Sequence, residues 1–263
     1  MPQQAEHDVL IAFGSNLGDP LKQYQSAVAL LTRQLRLDRE TQIAVSEPFQ
    51  TEPVGGPSGQ PAYVNGAIRL RTSLPAVELH QILAGIETQL GRERRTRWSA
   101  RKADLDLILF GDLLLDSSTL TVPHPRMSFR RFVLEPAIEI AGDMVHPLSG
   151  KTIRELVDHL NRTPDKIVVT TPDHADLHWK VEELANDRKS SGWTLVAVDD
   201  EQAYDSHSTS AKLVVYPTMN PENRLIASAK TFGGPTLGIT GHSHEDFATE
   251  LFAAIQGMSP LIG

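Results

Sequence analysis

The 263-residue sequence contains no cysteine. This excludes disulfides, thiolate metal sites and a cysteine nucleophile, and it is compatible with a cytoplasmic setting. No stretch approaches the ~20 apolar residues that a membrane-spanning helix needs. Residues 1–8 have neither the basic nor the apolar region of a secretory signal, so none is expected and no membrane partner is predicted. An excess of positive charge is also missing. The formal net charge is −8, which argues against binding along a nucleic-acid backbone. What is present, 40% hydrophobic and 22% charged residues, suffices for a packed core and excludes a wholly disordered chain.

The negative charge is unevenly spread. Residues 1–163 hold 18 Lys and Arg against 19 Asp and Glu, whereas residues 164–263 hold 7 against 14. That step predicts two units, 1–162 and 163–263. Within the balanced half, Arg92, Arg94, Arg95, Arg97, Arg101 and Lys102 place six cations in eleven residues. A local positive field in a protein of no basic character fits one small polyanion.

The apolar run Val9-Leu10-Ile11-Ala12-Phe13 predicts a buried strand, closed by Gly14-Ser15-Asn16-Leu17-Gly18. Asp19-Pro20 supplies an N-cap and a first-turn proline for a helix with Leu21, Tyr24, Ala27, Val28, Leu31 and Leu35 at a 3.6-residue period. Ile43, Val45 and Phe49 predict a half-buried strand. Residues 51–61, with three prolines and three glycines, must be loop. A strand follows over 63–71. Pro75 then opens a helix buried through Leu79, Ile82, Leu83, Ile86 and Leu90 and stopped at Gly91. A strand over 104–110 completes the order βαββαβ, that of a ferredoxin-like α+β core with both helices on one face of an antiparallel sheet.

Asp104-Leu105-Asp106 is the most informative stretch. Residues i and i+2 of a strand share a face, so two carboxylates stand side by side, and like charges that close call for a cation. Magnesium prefers hard oxygen ligands and is often held by one or two carboxylates plus substrate phosphates. For an isolated Asp-x-Asp, a solvent-facing strand edge with two acids is the favoured reading. The arginines immediately upstream, with Trp98 among them, favour a metal–phosphate site, because guanidinium forks bind phosphate oxygens. The competing reading is an arginine-rich loop that merely pairs with the two acids. Further on, Val122-Pro123-His124-Pro125-Arg126 and Arg130, Arg131 and Phe132 add a rigidly flanked histidine and more cations. Tyr63 and Asn65 put a ring and an amide on one strand face, suited to stacking on a planar heterocycle and reading its edge; a cross-strand aromatic beside a polar residue is the plainer alternative.

Gly14-Ser15-Asn16-Leu17-Gly18, Thr51-Glu52-Pro53-Val54, Tyr63-Val64-Asn65, Gly91-Arg92-Glu93-Arg94, Arg97-Trp98, Arg101, Asp104-Leu105-Asp106 and Val122-Pro123-His124-Pro125-Arg126 together resemble, in order, the 6-hydroxymethyl-7,8-dihydropterin pyrophosphokinases of folate biosynthesis. The resemblance covers about residues 8–160. It implies transfer of pyrophosphate from ATP to the pterin hydroxymethyl group, with ATP and the hydroxymethyl dihydropterin as small-molecule partners and two Mg2+ ions as cofactors. It implies Asp104 and Asp106 as metal ligands and, with Arg92 and Arg101, as the catalytic set. Glu87, Arg92, Arg94, Trp98, Arg101, Leu107, His124 and Arg130 fall at its ATP-binding positions. Thr51, Val54, Tyr63, Asn65 and Phe132 fall at its pterin positions. Three departures stand out: Ser99-Ala100 where the family usually has Gly-Pro, a shorter segment before Trp98, and Pro125 where some members carry an aromatic.

Residues 163–263 predict a small α/β unit. Strands are expected over 167–169, 193–198 and 212–216, a helix from about 176, and a closing helix over 247–258 with Phe247, Leu251, Phe252 and Ile255 on one face. The unit weakly resembles a shrunken nucleoside-kinase-like domain. Its first strand-to-helix turn, Thr170-Thr171-Pro172-Asp173-His174-Ala175, has no glycine and no lysine, so it is expected to bind no nucleotide and to be non-catalytic. Gly241-His242-Ser243-His244 reads as a solvated loop rather than a metal site. A ferredoxin-like sheet also serves RNA recognition, but the aromatic strand signature of that class is missing. A catalytically quiet family member would have shown itself by losing Asp104, Asp106 or the arginines. No feature of the sequence sets an oligomeric state.

Overall fold

The computed structural model describes residues 6–38, 42–55, 57, 59–92, 100–170, 175–187, 190–198, 207–208, 210–217, 234–239 and 244–260. Its first sheet is built around β1 (His7–Ser15), which pairs antiparallel with both β4 (Tyr63–Thr72) and β5 (Asp104–Phe110). Two short strands, β2 (Ile43–Val45) and β3 (Phe49–Thr51), lie along the outer side of β4, giving the order β2-β4-β1-β5 with β3 also on β4. The single strand expected around 43–49 is therefore divided. Pro48 has no N–H to continue the ladder. At the break the Ser46 hydroxyl accepts the Ala67 N–H at 2.9 Å, and Ser46 N–H donates to the Ala67 carbonyl at 3.0 Å.

The period of β1 puts Val9, Ile11 and Phe13 on one face and Leu10 and Ala12 on the other. The first set packs with α1 (Pro20–Gln34) and α2 (Ala76–Gln89) around Tyr24, Ala27, Leu31, Leu79, Leu83 and Ile86. Asp19 caps α1 as its sequence predicts, its Oδ1 accepting the Lys22 N–H at 3.1 Å. Leu10 and Ala67 face α3 (Arg131–Ala141), a helix whose sequence signal is broken by Pro136. Beyond β5 come a small hairpin, β6 (Leu115–Asp116) with β7 (Thr121–Val122), and a 3-10 turn at Met127–Phe129.

α4 (Ile153–Arg162) starts at a capping box in which Thr152 and Glu155 exchange side-chain and backbone hydrogen bonds. Four parallel strands follow in the order β11-β10-β8-β9: β8 (Lys166–Thr170), β9 (Thr194–Val198), β10 (Leu213–Pro217) and β11 (Thr236–Ile239). α5 (Ala175–Ala185) and α6 (His244–Met258) accompany them. β11, four residues with an internal glycine, carries no strand signal of its own. One continuous apolar core runs from Leu10 and Ile108 of the first sheet through Leu134 of α3 and Leu156 of α4 to Val169, Val215, Leu251 and Met258. Among the described residues no helix is long and apolar enough to cross a membrane.

Candidate active site

β1 ends in residues with little or no side chain on the face away from α1 and α2, and this makes room for a cavity. Ala12 pairs across the sheet with Asp106, and Gly14 sits between Asn65 on β4 and Asp104 on β5. A Cβ on Gly14 would come 3.4 Å from Asn65 Oδ1 and 3.9 Å from Tyr63 Cδ1. Small residues on the central strand thus form a floor. The amide and ring of β4 rise on one side of it and the two carboxylates of β5 on the other. The cavity above this floor measures about 250 Å3, and Thr51, Val54, Tyr63, Asn65, Phe132, Arg92, Arg101, Asp104, Asp106 and Arg130 all line it.

On the β4 side, Asn65 is buried and its Nδ2 donates to Thr51 Oγ1 at 2.7 Å. The remaining amide hydrogen and the carbonyl oxygen form a donor–acceptor pair for a ligand edge. The Arg130 guanidinium lies 5.3 Å from the centroid of the Phe132 ring, a cation–π arrangement that steadies both. Asn16 ties this side to the next. Its Nδ2 donates to the Pro61 carbonyl at 3.1 Å, and its Oδ1 accepts the Arg101 N–H at 2.9 Å.

On the β5 side the charges are interlocked. Arg92 pairs with Asp104 at 2.6 Å and also with Glu87, while Arg101 pairs with Asp104 from the other end of the basic segment. Glu87, buried at the end of α2, accepts the Leu105 N–H at 2.7 Å, so it fixes the start of β5 from behind rather than lining the cavity. Burial raises the Glu87 pKa above the ordinary carboxylate value. Burial, and then the neighbouring Asp106, likewise raise that of Asp104. Arg–acid pairing, one of the two alternatives the sequence left open, is therefore present at Asp104. It does not extend to Asp106, which has no salt-bridge partner among the described residues. Arg130 has none either, and burial with Arg126 alongside pushes its pKa down to about 9, still protonated at neutral pH. Among the described residues, the cavity thus holds one carboxylate and one guanidinium that are in no salt bridge.

Three expected site residues stand elsewhere. His124 lies against a second cavity of about 230 Å3, bounded also by Arg126, His146 and the start of β11. Its Nδ1 accepts the Arg126 N–H at 3.2 Å, and burial, reinforced by Arg130 and Arg126, lowers its pKa to about 3. It is a neutral imidazole and not the cation that meeting a developing negative charge would call for. The Leu107 side chain packs into the core beneath α1 and α2 and lines neither cavity, because the residues between Asp104, Asp106 and Ile108 must point the other way. Glu87 acts from behind β5, as above. Arg94 and Trp98 fall outside the described residues. The sequence left Arg126, Gly55 and Gln60, which also line the first cavity, without a role. Only the charge of Arg126 gave any hint of it.

The profile of the family described as 7,8-dihydro-6-hydroxymethylpterin-pyrophosphokinase matches residues 10–142. A 2-amino-4-hydroxy-6-hydroxymethyldihydropteridine pyrophosphokinase of Synechocystis sp. is 42% identical over 162 residues, spanning 62% of this chain and 80% of that protein. Enzymes of the same name from Pseudomonas aeruginosa and Haemophilus influenzae are 41% and 36% identical over 149 and 152 residues, each across 57% of this chain and 89% and 92% of theirs. With half of its length matched and the strands that frame the cavity inside the match, the chain belongs to the 7,8-dihydro-6-hydroxymethylpterin-pyrophosphokinase family.

Proposed function

We propose the following division of labour in this pyrophosphokinase, which transfers the pyrophosphoryl group of ATP to the hydroxymethyl oxygen of 6-hydroxymethyl-7,8-dihydropterin and releases AMP in folate biosynthesis. Tyr63 and Phe132 stack on the two faces of the pterin, and Asn65, with the backbone around Thr51 and Val54, reads its edge. Arg92, Arg101 and Arg130 bind the phosphates. Asp104 and Asp106 hold magnesium. The observation that carries the reading is that one cavity holds a carboxylate, Asp106, and a guanidinium, Arg130, neither in a salt bridge among the described residues, beside the amide of Asn65.

The donor set suits magnesium. Among the described residues no group of three or more His, Cys, Asp and Glu converges to coordinate a metal, whereas two hard carboxylates leave the rest of an octahedral shell to phosphate oxygens and water. Two ions rather than one match two adjacent carboxylates facing a triphosphate. When bound, the metal screens phosphate charge and polarises the β-phosphoryl group. The protein's own contribution is exchange and alignment. Arg92 and Arg101 give up Asp104 for phosphate oxygens as the nucleotide enters, so the charges that neutralise the empty cleft also neutralise the filled one. The pterin, fixed between two rings, presents its hydroxyl oxygen in line with the β-phosphorus. The new P–O bond forms as the α–β bridging P–O bond breaks; AMP leaves with that electron pair, and the hydroxyl proton is released to water. The arginines meet the charge developing on it.

The strand order β2-β4-β1-β5, with α1 and α2 on one face, supports a ferredoxin-like core for residues 1–162. Residues 163–263 are a second, non-catalytic unit with its own sheet, and the cytoplasm, where ATP and magnesium are supplied, is the setting. Incubating the purified protein with ATP, magnesium and the hydroxymethyl dihydropterin tests the reading: AMP and the pterin diphosphate are expected, whereas ADP or no product contradicts it.

A further inference from the structure

The residues matched by the family end at 142, yet the wall of the cavity on the Val54–Phe132 side is backed by helix α6, about a hundred residues further along. Four contacts join them. The Gln256 side-chain oxygen accepts the backbone N–H of Gly55 at 2.8 Å, and Gly55 lies in the loop that lines the cavity with φ +70°. Gly257 is buried against the wall itself: a Cβ there would stand 3.5 Å from Arg130 Cγ and 3.9 Å from both Phe132 Cε1 and Val54 Cγ1. The Met258 carbonyl accepts from Arg131 Nε at 2.7 Å. Glu250, which is buried, holds Arg126 at 2.7 Å.

Each contact falls on a residue that lines the cavity or is bonded directly to one that does. Among its described residues, the loop after Thr51, rich in proline and glycine, forms no helix or strand as far as Pro61. A bond from α6 to its Gly55 N–H removes freedom that would otherwise be lost when a ligand binds. Gly257 matters through size: glycine lets the helix touch Phe132 and Arg130 directly, so the position of the ring is set by the helix surface.

We propose that α6 of the acidic unit is a built-in part of the pterin side of the site, with Gln256 and Gly257 as positioning residues that set affinity for the pterin. The proposal rests on the assignment of Val54, Phe132 and Asn65 to pterin binding made above. A bulky side chain at 257 displaces Phe132, and loss of the acceptor at 256 frees the Gly55 loop. Gln256 bonds only the Gly55 side of the wall, whereas Gly257 also touches the stem of Arg130, so Gln256 carries the pterin-specific part of the test.

The test uses the full-length chain, with pterin affinity measured by fluorescence titration alongside kcat and the KM for each substrate. Gln256→Leu should raise the pterin Kd and KM about 5-fold, the worth of one hydrogen bond, with kcat and the KM for ATP within 2-fold of wild type. Gln256→Glu keeps the acceptor and should restore wild-type pterin affinity. Gly257→Ala, whose methyl makes ordinary contacts, should bind normally, and Gly257→Leu should weaken pterin binding about 10-fold or more. Melting temperatures within a few degrees of wild type separate these effects from unfolding, and Gln256, being exposed, gives a substitution that the fold tolerates. Unchanged pterin affinity in both Gln256→Leu and Gly257→Leu, or equal losses for pterin and ATP in Gln256→Leu, would overturn the proposal. Asn65→Ala is the control. If it weakens pterin binding while the α6 variants do not, only the role of α6 fails. If Asn65→Ala also binds normally, the pterin assignment itself is wrong and the proposal falls with it.

Discussion

Glu87 sits where α2 meets β5, and two substitutions separate what it does for the fold from what it does for the site. Its carboxylate accepts the Leu105 N–H at 2.7 Å and one guanidinium arm of Arg92, in surroundings that leave it 5% exposed. Glu87→Ala strands the Leu105 N–H in a buried place, at about 1–3 kcal/mol, and removes one buried methylene worth about 0.8 kcal/mol. Burial already disfavours the Glu87 charge, as its raised pKa records, so removing that charge returns part of the loss. The net expectation is about 2–3 kcal/mol of destabilisation. Glu87→Gln keeps the stem and an oxygen for Leu105 and only weakens a charge-assisted bond to Arg92, at about 1 kcal/mol. Urea unfolding at constant slope should therefore rank wild type above Gln and Gln above Ala, with the last gap near 2 kcal/mol. Steady-state kinetics on the Gln variant should show a KM for ATP raised a few-fold, because Arg92 keeps only one of its two carboxylate anchors. Equal stability of the two variants would refute the bond from Glu87 to the β5 backbone as the element that sets the start of that strand.

Asn16→Ala, which unclips the Pro/Gly loop from the Arg101 segment by removing bonds of 3.1 and 2.9 Å, should lose about 2 kcal/mol in urea unfolding and raise the KM for both substrates; wild-type constants would show that the clip does not shape the site. Gly66→Ala places a methyl 2.6 Å from the Tyr24 hydroxyl oxygen and should cost about 3 kcal/mol. Adding Tyr24→Leu should recover at least about 1 kcal/mol of that in a double-mutant cycle, and strict additivity would mean that Tyr24 is not the obstacle. Burial lowers the pKa of His146 to about 4, below its value in an unfolded chain. Its contribution to stability is full above about pH 6.5 and is lost as pH falls towards 4, because the unfolded state takes up the proton first. The stability difference between pH 7 and pH 4.5 should shrink by about 2–3 kcal/mol in His146→Gln, and an unchanged pH slope would contradict the burial.

What could be read from the sequence was whatever depends on local period. Alternation placed Asp104 and Asp106 together, and it put Tyr63 and Asn65 on the face that the structure turns to the same cavity. Asp19-Pro20 and Gly91 marked helix ends because capping is local. The contacts that the sequence withheld are those closed by the fold. Asn16 meets Pro61 and Arg101 across 45 and 85 residues, and Gln256 meets Gly55 across 201. Strand period would have shown that Leu107, one position from Asp106, points its side chain into the opposite core, but positional likeness to the family masked it. α3 was hidden by Pro136 and β11 by its brevity. The step in charge after residue 163 suggested a separate unit, but apolar pairing through α3 and α4, which charge does not report, joins it to the first core.

The central claim is that Asp106, in no salt bridge among the described residues, holds the magnesium on which pyrophosphoryl transfer depends. It is tested most directly by measuring AMP formation by Asp106→Ala across a magnesium titration, with pterin binding followed separately by fluorescence. A loss of turnover of about 100-fold or more at low-millimolar magnesium, with pterin affinity unchanged, is the predicted result. AMP formation at the wild-type rate in that variant would contradict it.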